Sequence, residues 1–247
     1  MKKYLDCSRS AWYSLLFVLP LWLLYEALAV AFNLGQQRMV VNGADAIIGH
    51  FLSLLGVQGR LGGMLVLAII ATVWVYRADP GHRKQGVFPG YFLMMLGESI
   101  VYAFLFGGVV VWLMTLLIPG FLLRLQIGEA GLGLGLQFMT SLGAGVYEEL
   151  LFRVILMGGM AYVGVRLLRM KPGASLAIAM VVSSLVFSAF HYIGPMGDRP
   201  QVASFSFRFI AGMLFAILYR VRGFGIAAYT HALYDVFLLL QHGNHVG

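Results

Sequence analysis

Residues 91–118 read YFLMMLGESIVYAFLFGGVVVWLMTLLI, a run in which Glu98 is the only charge. A helix needs about 20 mostly apolar residues to cross the hydrocarbon layer of a bilayer. This run exceeds that length, so it predicts a membrane helix that tilts, kinks or breaks. Working outward, further runs qualify at 11–32, 60–76, 134–165, 173–193, 204–219 and 224–241. The composition agrees. Of 247 residues, 60% are hydrophobic and 11% charged, against about 25% charged in a soluble domain. So few charges cannot cover a soluble surface. That excludes a soluble globular protein, a disordered chain and a nucleic-acid binder. A lone Cys7 excludes an internal disulfide framework and a cysteine zinc cluster. The expected architecture is all-α. It is a polytopic helical bundle of about seven spans (six to eight), one integral-membrane domain over 1–247. Segment 36–58 is mixed in polarity and leaves room for an eighth helix at the interface.

The net charge of +7 reads as topology. Lys2, Lys3 and Arg9 precede the first span. Arg77, Arg83 and Lys84 follow the second, Arg166, Arg169 and Lys171 the fourth, and Arg220 and Arg222 the sixth. The opposite side holds only Arg38, Arg60, Arg124 and Arg199. Basic residues collect in cytoplasmic loops, so the N-terminus is expected inside and the C-terminus outside. The first run has a basic start and the sequence Ala29-Val30-Ala31, as a signal peptide would. Its apolar stretch is longer than the usual 7–15 residues or so of such a segment, and Glu26 interrupts it, which favours an uncleaved helix. Trp12, Tyr13 and Tyr91 read as headgroup anchors. Gly143–Ala144–Gly145 and the glycines between Gly131 and Gly135 mark where the fourth span is expected to bend.

Ionisable groups inside a bilayer are costly, and they call for a partner or a function. Here they are Glu26, Glu98, Glu148, Glu149, Arg153, His191, Arg208, His231 and Asp235. Three short groups stand out. In Glu148-Glu149-Leu150-Leu151-Phe152-Arg153, the second Glu and the Arg are four apart and share a helix face. Glu148 is turned about 100° away, with no partner on its own helix, which suits a general base. A buried ion pair with a second Glu facing a water-filled gap explains this group equally well. In Phe187-Ser188-Ala189-Phe190-His191 the ring and the imidazole are again four apart. A helix–helix hydrogen bond is the ordinary role for such a His. In His231-Ala232-Leu233-Tyr234-Asp235, the carboxylate is placed to orient the imidazole, or merely to form a local pair.

The ordered set Glu-Glu-x-x-x-Arg, Phe-x-x-x-His and His-x-x-x-Asn/Asp on membrane helices resembles the CPBP family. These are the CAAX prenyl protease type II, bacteriocin-processing and lysostaphin-resistance-like intramembrane proteases. The resemblance covers 134–241, read as the catalytic core, whereas 1–130 supplies N-terminal helices outside the match. It implies an endopeptidase that hydrolyses a peptide bond in a membrane-associated protein, in CAAX-type or C-terminal processing or sorting. It implies that Glu148 and His191 activate water and that His231 and Asp235 serve the oxyanion. Glu149, Arg153 and Phe187 then support the site. Many members have Asn where this chain has Asp235, and an ionised Asp cannot donate to an oxyanion. Asp235 is therefore expected to orient His231. Glu148, His191 and His231 would also make a His2Glu zinc set with an open position. A metal-free glutamate mechanism is the preferred expectation, with no cofactor.

The implied setting is a lipid bilayer, a bacterial inner membrane with the N-terminus cytoplasmic, and a membrane-bound protein or peptide as substrate. With that orientation the site opens to the non-cytoplasmic side. Two other classes fit the buried charges. One is a transporter or proton relay, although no inverted repeat of broken helices is visible. The other is a catalytically silent bacteriocin-immunity protein, although no residue of the hydrolytic set is missing. Arg208, Glu26 and Glu98 are expected to form scaffold ion pairs. His242 and His245 read as solvated.

Overall fold

A computed structural model describes residues 2–36, 39–84, 86–117, 132–194 and 197–243. Of the positions discussed above, Arg38, Arg124, Gly131 and His245 lie outside these. The described chain is all helical. Its helices are α1 (Lys2–Ser8), α2 (Ala11–Asn33), α3 (Gly43–Leu54), α4 (Arg60–Ala78), α5 (Pro80–Lys84) and α6 (Pro89–Leu117). A continuous rod follows, made of α7 (Leu134–Gly143), wide π-helical turns at Ala144–Glu148 and Leu150–Met157, and α8 (Gly158–Arg166). The last three are α9 (Pro172–Phe190), α10 (Val202–Arg222) and α11 (Phe224–Gly243).

All seven expected spans are present as helices or, for the fourth, as the segmented rod. Among the described residues, α2, α4, α6, α9 and α10 are individually long and apolar enough to cross a bilayer. The rod, 134–166, is long enough as a whole. The mixed segment 36–58 holds α3, whose 12 residues are too few to span. Apolar side chains on the outside follow from this setting. On α4 only Val75 is buried, while Leu61, Leu65, Ile69 and Trp74 face outward.

α11 is central. Ile226, Ala227, Ala228 and Ala232 are fully buried, and small side chains let helix backbones approach closely, as membrane packing requires. α11 packs against α2, α6, α10 and the rod. Two rod glycines are needed for this packing. A Cβ on Gly145 would lie 2.4 Å from the Ala228 carbonyl of α11, and one on Gly143 would lie 2.5 Å from the Tyr25 ring of α2. At Gly143–Gly145, where a bend was expected, the helix widens into π turns beside these two close contacts.

One end of the bundle gathers the N-terminus, the α4–α6 connection and the α10–α11 junction. The Trp12 amide donates to Asp79, and Gly223 packs on the Arg9 backbone. Tyr13, expected at the headgroups, is instead fully buried here. Its hydroxyl donates to the Gly86 carbonyl and accepts from the Phe88 amide, so its polar atom is satisfied by protein.

Candidate active site

Glu148 and Glu149 lie midway along the rod, where the π turns begin and end. Such turns recur at functional sites because they re-aim side chains within a helix. The two carboxylates are turned to different partners. Glu149 is fully buried and bridges two basic side chains. Its Oε2 is 3.2 Å from Arg153 Nε, and its Oε1 accepts from His231 Nδ1 at 2.8 Å. The i,i+4 spacing had given the first contact. The second joins α11 to the rod and no spacing in the sequence could reveal it. Arg153 is almost fully buried. Its guanidinium lies 4.5 Å from the Phe187 ring centroid, and it donates to the Gly212 carbonyl of α10 at 3.4 Å.

Glu148 is not unpartnered, as its own helix suggested. Its Oε1 accepts a hydrogen bond from the Asn42 amide at 2.9 Å. Asn42 is the N-cap of α3, so the N-terminal part of the chain, read as outside the match, reaches the site. The other oxygen, Oε2, is buried with no hydrogen-bond partner.

His191 stands one residue past the end of α9, as its C-cap. Its Nδ1 is 2.9 Å from the Phe187 carbonyl. A carbonyl only accepts, so Nδ1 carries the proton and Nε2 is the free nitrogen of the neutral ring. The Phe187 ring packs edge-on against both His191 and His231, with centroids 4.9 and 6.1 Å away. Phe187 thus spaces the two imidazoles, while Phe215 stacks on His231 at 4.3 Å.

Asp235 lies beside His231, as the four-residue spacing leads one to expect, but at ion-pair rather than hydrogen-bond distance. Its carboxylate lies 3.7 Å from His231 Nε2, too far for a hydrogen bond. The group that fixes the His231 tautomer is Glu149, which receives the Nδ1 proton. Asp235 instead flanks the other nitrogen.

Among the described residues, no three His, Cys, Asp or Glu side chains are grouped to hold a metal ion. Glu148, His191 and His231 are accordingly not gathered into one ligand set in this arrangement.

The other buried charges are paired, with partners the sequence did not name. Glu26 pairs with Arg60 at 2.5 Å and accepts from Tyr147; Arg60 also reaches Asp45 at 2.9 Å. Arg208 pairs with Asp198, whose amide donates to the His191 carbonyl. Glu98 pairs with Arg222.

A groove of about 800 Å³ runs along the outside of the bundle between the rod and α9. Its lining is almost wholly apolar and includes Leu151, Phe152, Ile155, Phe190 and Ile193. Phe152 and Phe190 pack on one another, and Phe190 packs on His191, so the groove borders the site.

Fold and site together define an integral-membrane protein with buried Glu148, Glu149 and His231 inside its helical bundle. Residues 130–237 match the family model described as type II CAAX prenyl endopeptidase, Rce1-like. That segment contains all three motifs, and over it the recognition made from them is borne out. No curated protein and no solved structure matches the chain.

Proposed function

We propose that the protein is an intramembrane endopeptidase of the CAAX-processing type, acting on a membrane-associated protein by direct attack of water. The single observation that carries this reading is the division of Glu148. One oxygen is held by Asn42, and the other is buried with no hydrogen-bond partner. A carboxylate in that state is prepared to accept a proton.

Water placed between Glu148 Oε2 and His191 Nε2 loses a proton to Glu148 as its oxygen attacks the scissile carbonyl. His231, as an imidazolium stabilised by Glu149, donates from Nε2 to the developing oxyanion. The proton held by Glu148 then passes to the leaving amine. The apolar groove suits the hydrophobic part of a substrate that arrives through the bilayer. The excess of basic residues at the N-terminal end supports a cytoplasmic N-terminus. His191 and Asn42 sit toward the other end of the bundle, so the site then opens to the non-cytoplasmic face.

The test uses purified protein in lipid vesicles with a farnesylated peptide ending in a CAAX sequence and an unprenylated membrane-anchored peptide. Wild type cleaves at least one of them in the presence of a chelator, and Glu148→Gln lowers kcat by about 10²–10⁴-fold. Wild type that cleaves neither would defeat the reading, as would Glu148→Gln at the wild-type rate.

A further inference from the structure

We infer that Asn42 is a positioning residue for Glu148, and that Tyr25 and the Arg60–Asp45 pair are the frame that fixes it. The inference rests on the proposed role of Glu148 and assigns a share of the site to the N-terminal helices.

The geometry divides the work of one amide side chain. Asn42 Oδ1 accepts from the Ala44 amide at 2.9 Å, the N-cap bond that starts α3. Its Nδ2 is thereby left to donate, and it does so to Glu148 Oε1 at 2.9 Å, across 106 residues of chain. Both bonds fix χ angles of a short side chain, so neither end of the amide is free to rotate. Asn is the side chain that supplies an acceptor and a donor at this separation. Ser and Asp cap a helix equally well, but an ionised Asp has no donor. Ser has only the hydroxyl of the capping oxygen itself, which is too short to reach from the cap to Glu148 as the Asn amide nitrogen does.

The next layer is as specific. The Asn42 backbone amide donates to Tyr25 Oη at 3.2 Å, and that hydroxyl donates to Asp45 Oδ2 at 2.6 Å. Asp45 is held by Arg60 at 2.9 Å, and the Arg60 guanidinium lies 5.3 Å from the Tyr25 ring centroid. On the other flank of Glu148, Tyr147 packs edge-on against Tyr25 and accepts from Trp22 Nε1 at 2.9 Å while donating to Glu26. The residue before the base and the residue that holds it are thus anchored to one polar cluster.

The arrangement leaves Glu148 with a fixed plane. With Oε1 accepting from Asn42, Oε2 is the oxygen whose lone pairs are both unused, and its direction is set. A misplacement of about 1 Å at a reacting group costs on the order of 10²-fold in rate.

The deciding variants are Asn42→Ser and Asn42→Asp, since both keep the cap of α3. A capping role alone predicts wild-type kcat in both. The positioning role predicts KM within about twofold and kcat per folded molecule lowered about 10–100-fold. Asn42→Asp, which sets a second carboxylate against Glu148, is the slower of the two. Tyr25→Phe keeps the ring and loses less. Independently of proteolysis, the Glu148 carboxyl band isolated by infrared difference against Glu148→Gln shifts in Asn42→Ser. Wild-type kcat in both cap-preserving variants would overturn the inference, and so would an unshifted Glu148 band. If wild type cleaves no substrate, the endopeptidase reading fails, and the band still decides whether Asn42 holds this carboxylate.

Discussion

Glu98 and Glu148 are both glutamates on long helices of the bundle, each close to an arginine and to aromatic rings. Glu98 is closed. Its Oε1 accepts from Tyr102 at 2.7 Å and Arg222 Nε at 2.6 Å, and its Oε2 from Tyr4 and Arg222 Nη2, both at 2.7 Å. Glu148 is open, with a single donor on one oxygen and none on the other. Arg153, on the same rod, is engaged by Glu149. Glu98 is partly buried and Glu148 buried, so removal from solvent alone does not mark a reactive carboxylate. What differs is the number of lone pairs left unused after the helices have packed.

The contrast can be broken from the closed side first. Removing one member of a buried pair leaves an uncompensated charge and costs about 3–5 kcal/mol. Arg222→Ala is expected near the lower end of that range, because Glu98 is only partly buried, with a lowered thermal midpoint and an unchanged kcat per folded molecule. A lost kcat at full stability would make Glu98 part of the working site.

On the open side, His231→Ala removes the oxyanion donor and is expected to lower kcat by about 10²-fold, some 2.7 kcal/mol. Asp235→Asn, which touches His231 only across 3.7 Å, is expected to stay within about tenfold of wild type. Equal losses in single-turnover assays would return to Asp235 the orienting role that the geometry gives to Glu149.

The smallest effect lies outside the spans, at a pair that is neither closed nor catalytic. Burial disfavours the charged form of His82, but hydrogen bonds and charges from Asp79 and Asp6 outweigh it and raise its pKa above 6.5. A raised folded value stabilises the protein fully below the unfolded pKa and ceases to do so as pH rises through the folded one. The difference in thermal midpoint between wild type and His82→Gln is therefore expected to be present at pH 6 and to shrink as pH climbs above about 6.5. Such a partly exposed pair contributes no more than about 1 kcal/mol. A difference that grew with pH would refute the assignment.

The membrane class and all seven helical segments were legible in the sequence, because lipid demands long apolar runs and Gly143 and Gly145 betray close approach. The motif residues were legible because Glu149 and Arg153, like Phe187 and His191, are joined by helix periodicity. Asn42 was not. It looks like any N-cap in a mixed segment, and only tertiary packing brings it to Glu148. The Glu149–His231 bond was hidden for the same reason, which is why Asp235, four residues away on the same helix, seemed the better partner. Nothing in the sequence separated Glu98 from Glu148 as single residues. The difference is made by Tyr4, Tyr102 and Arg222, which come from three other places in the chain or on its helices.

The most direct measurement sets the two glutamates side by side. Glu148→Gln and Glu98→Gln are reconstituted in the same vesicles, and kcat and thermal midpoint are read for each with one cleavable peptide. The account predicts a midpoint near wild type and kcat reduced about 10²–10⁴-fold for Glu148→Gln, with the reverse pattern for Glu98→Gln. A Glu148→Gln protein that still cleaves at the wild-type rate would contradict it.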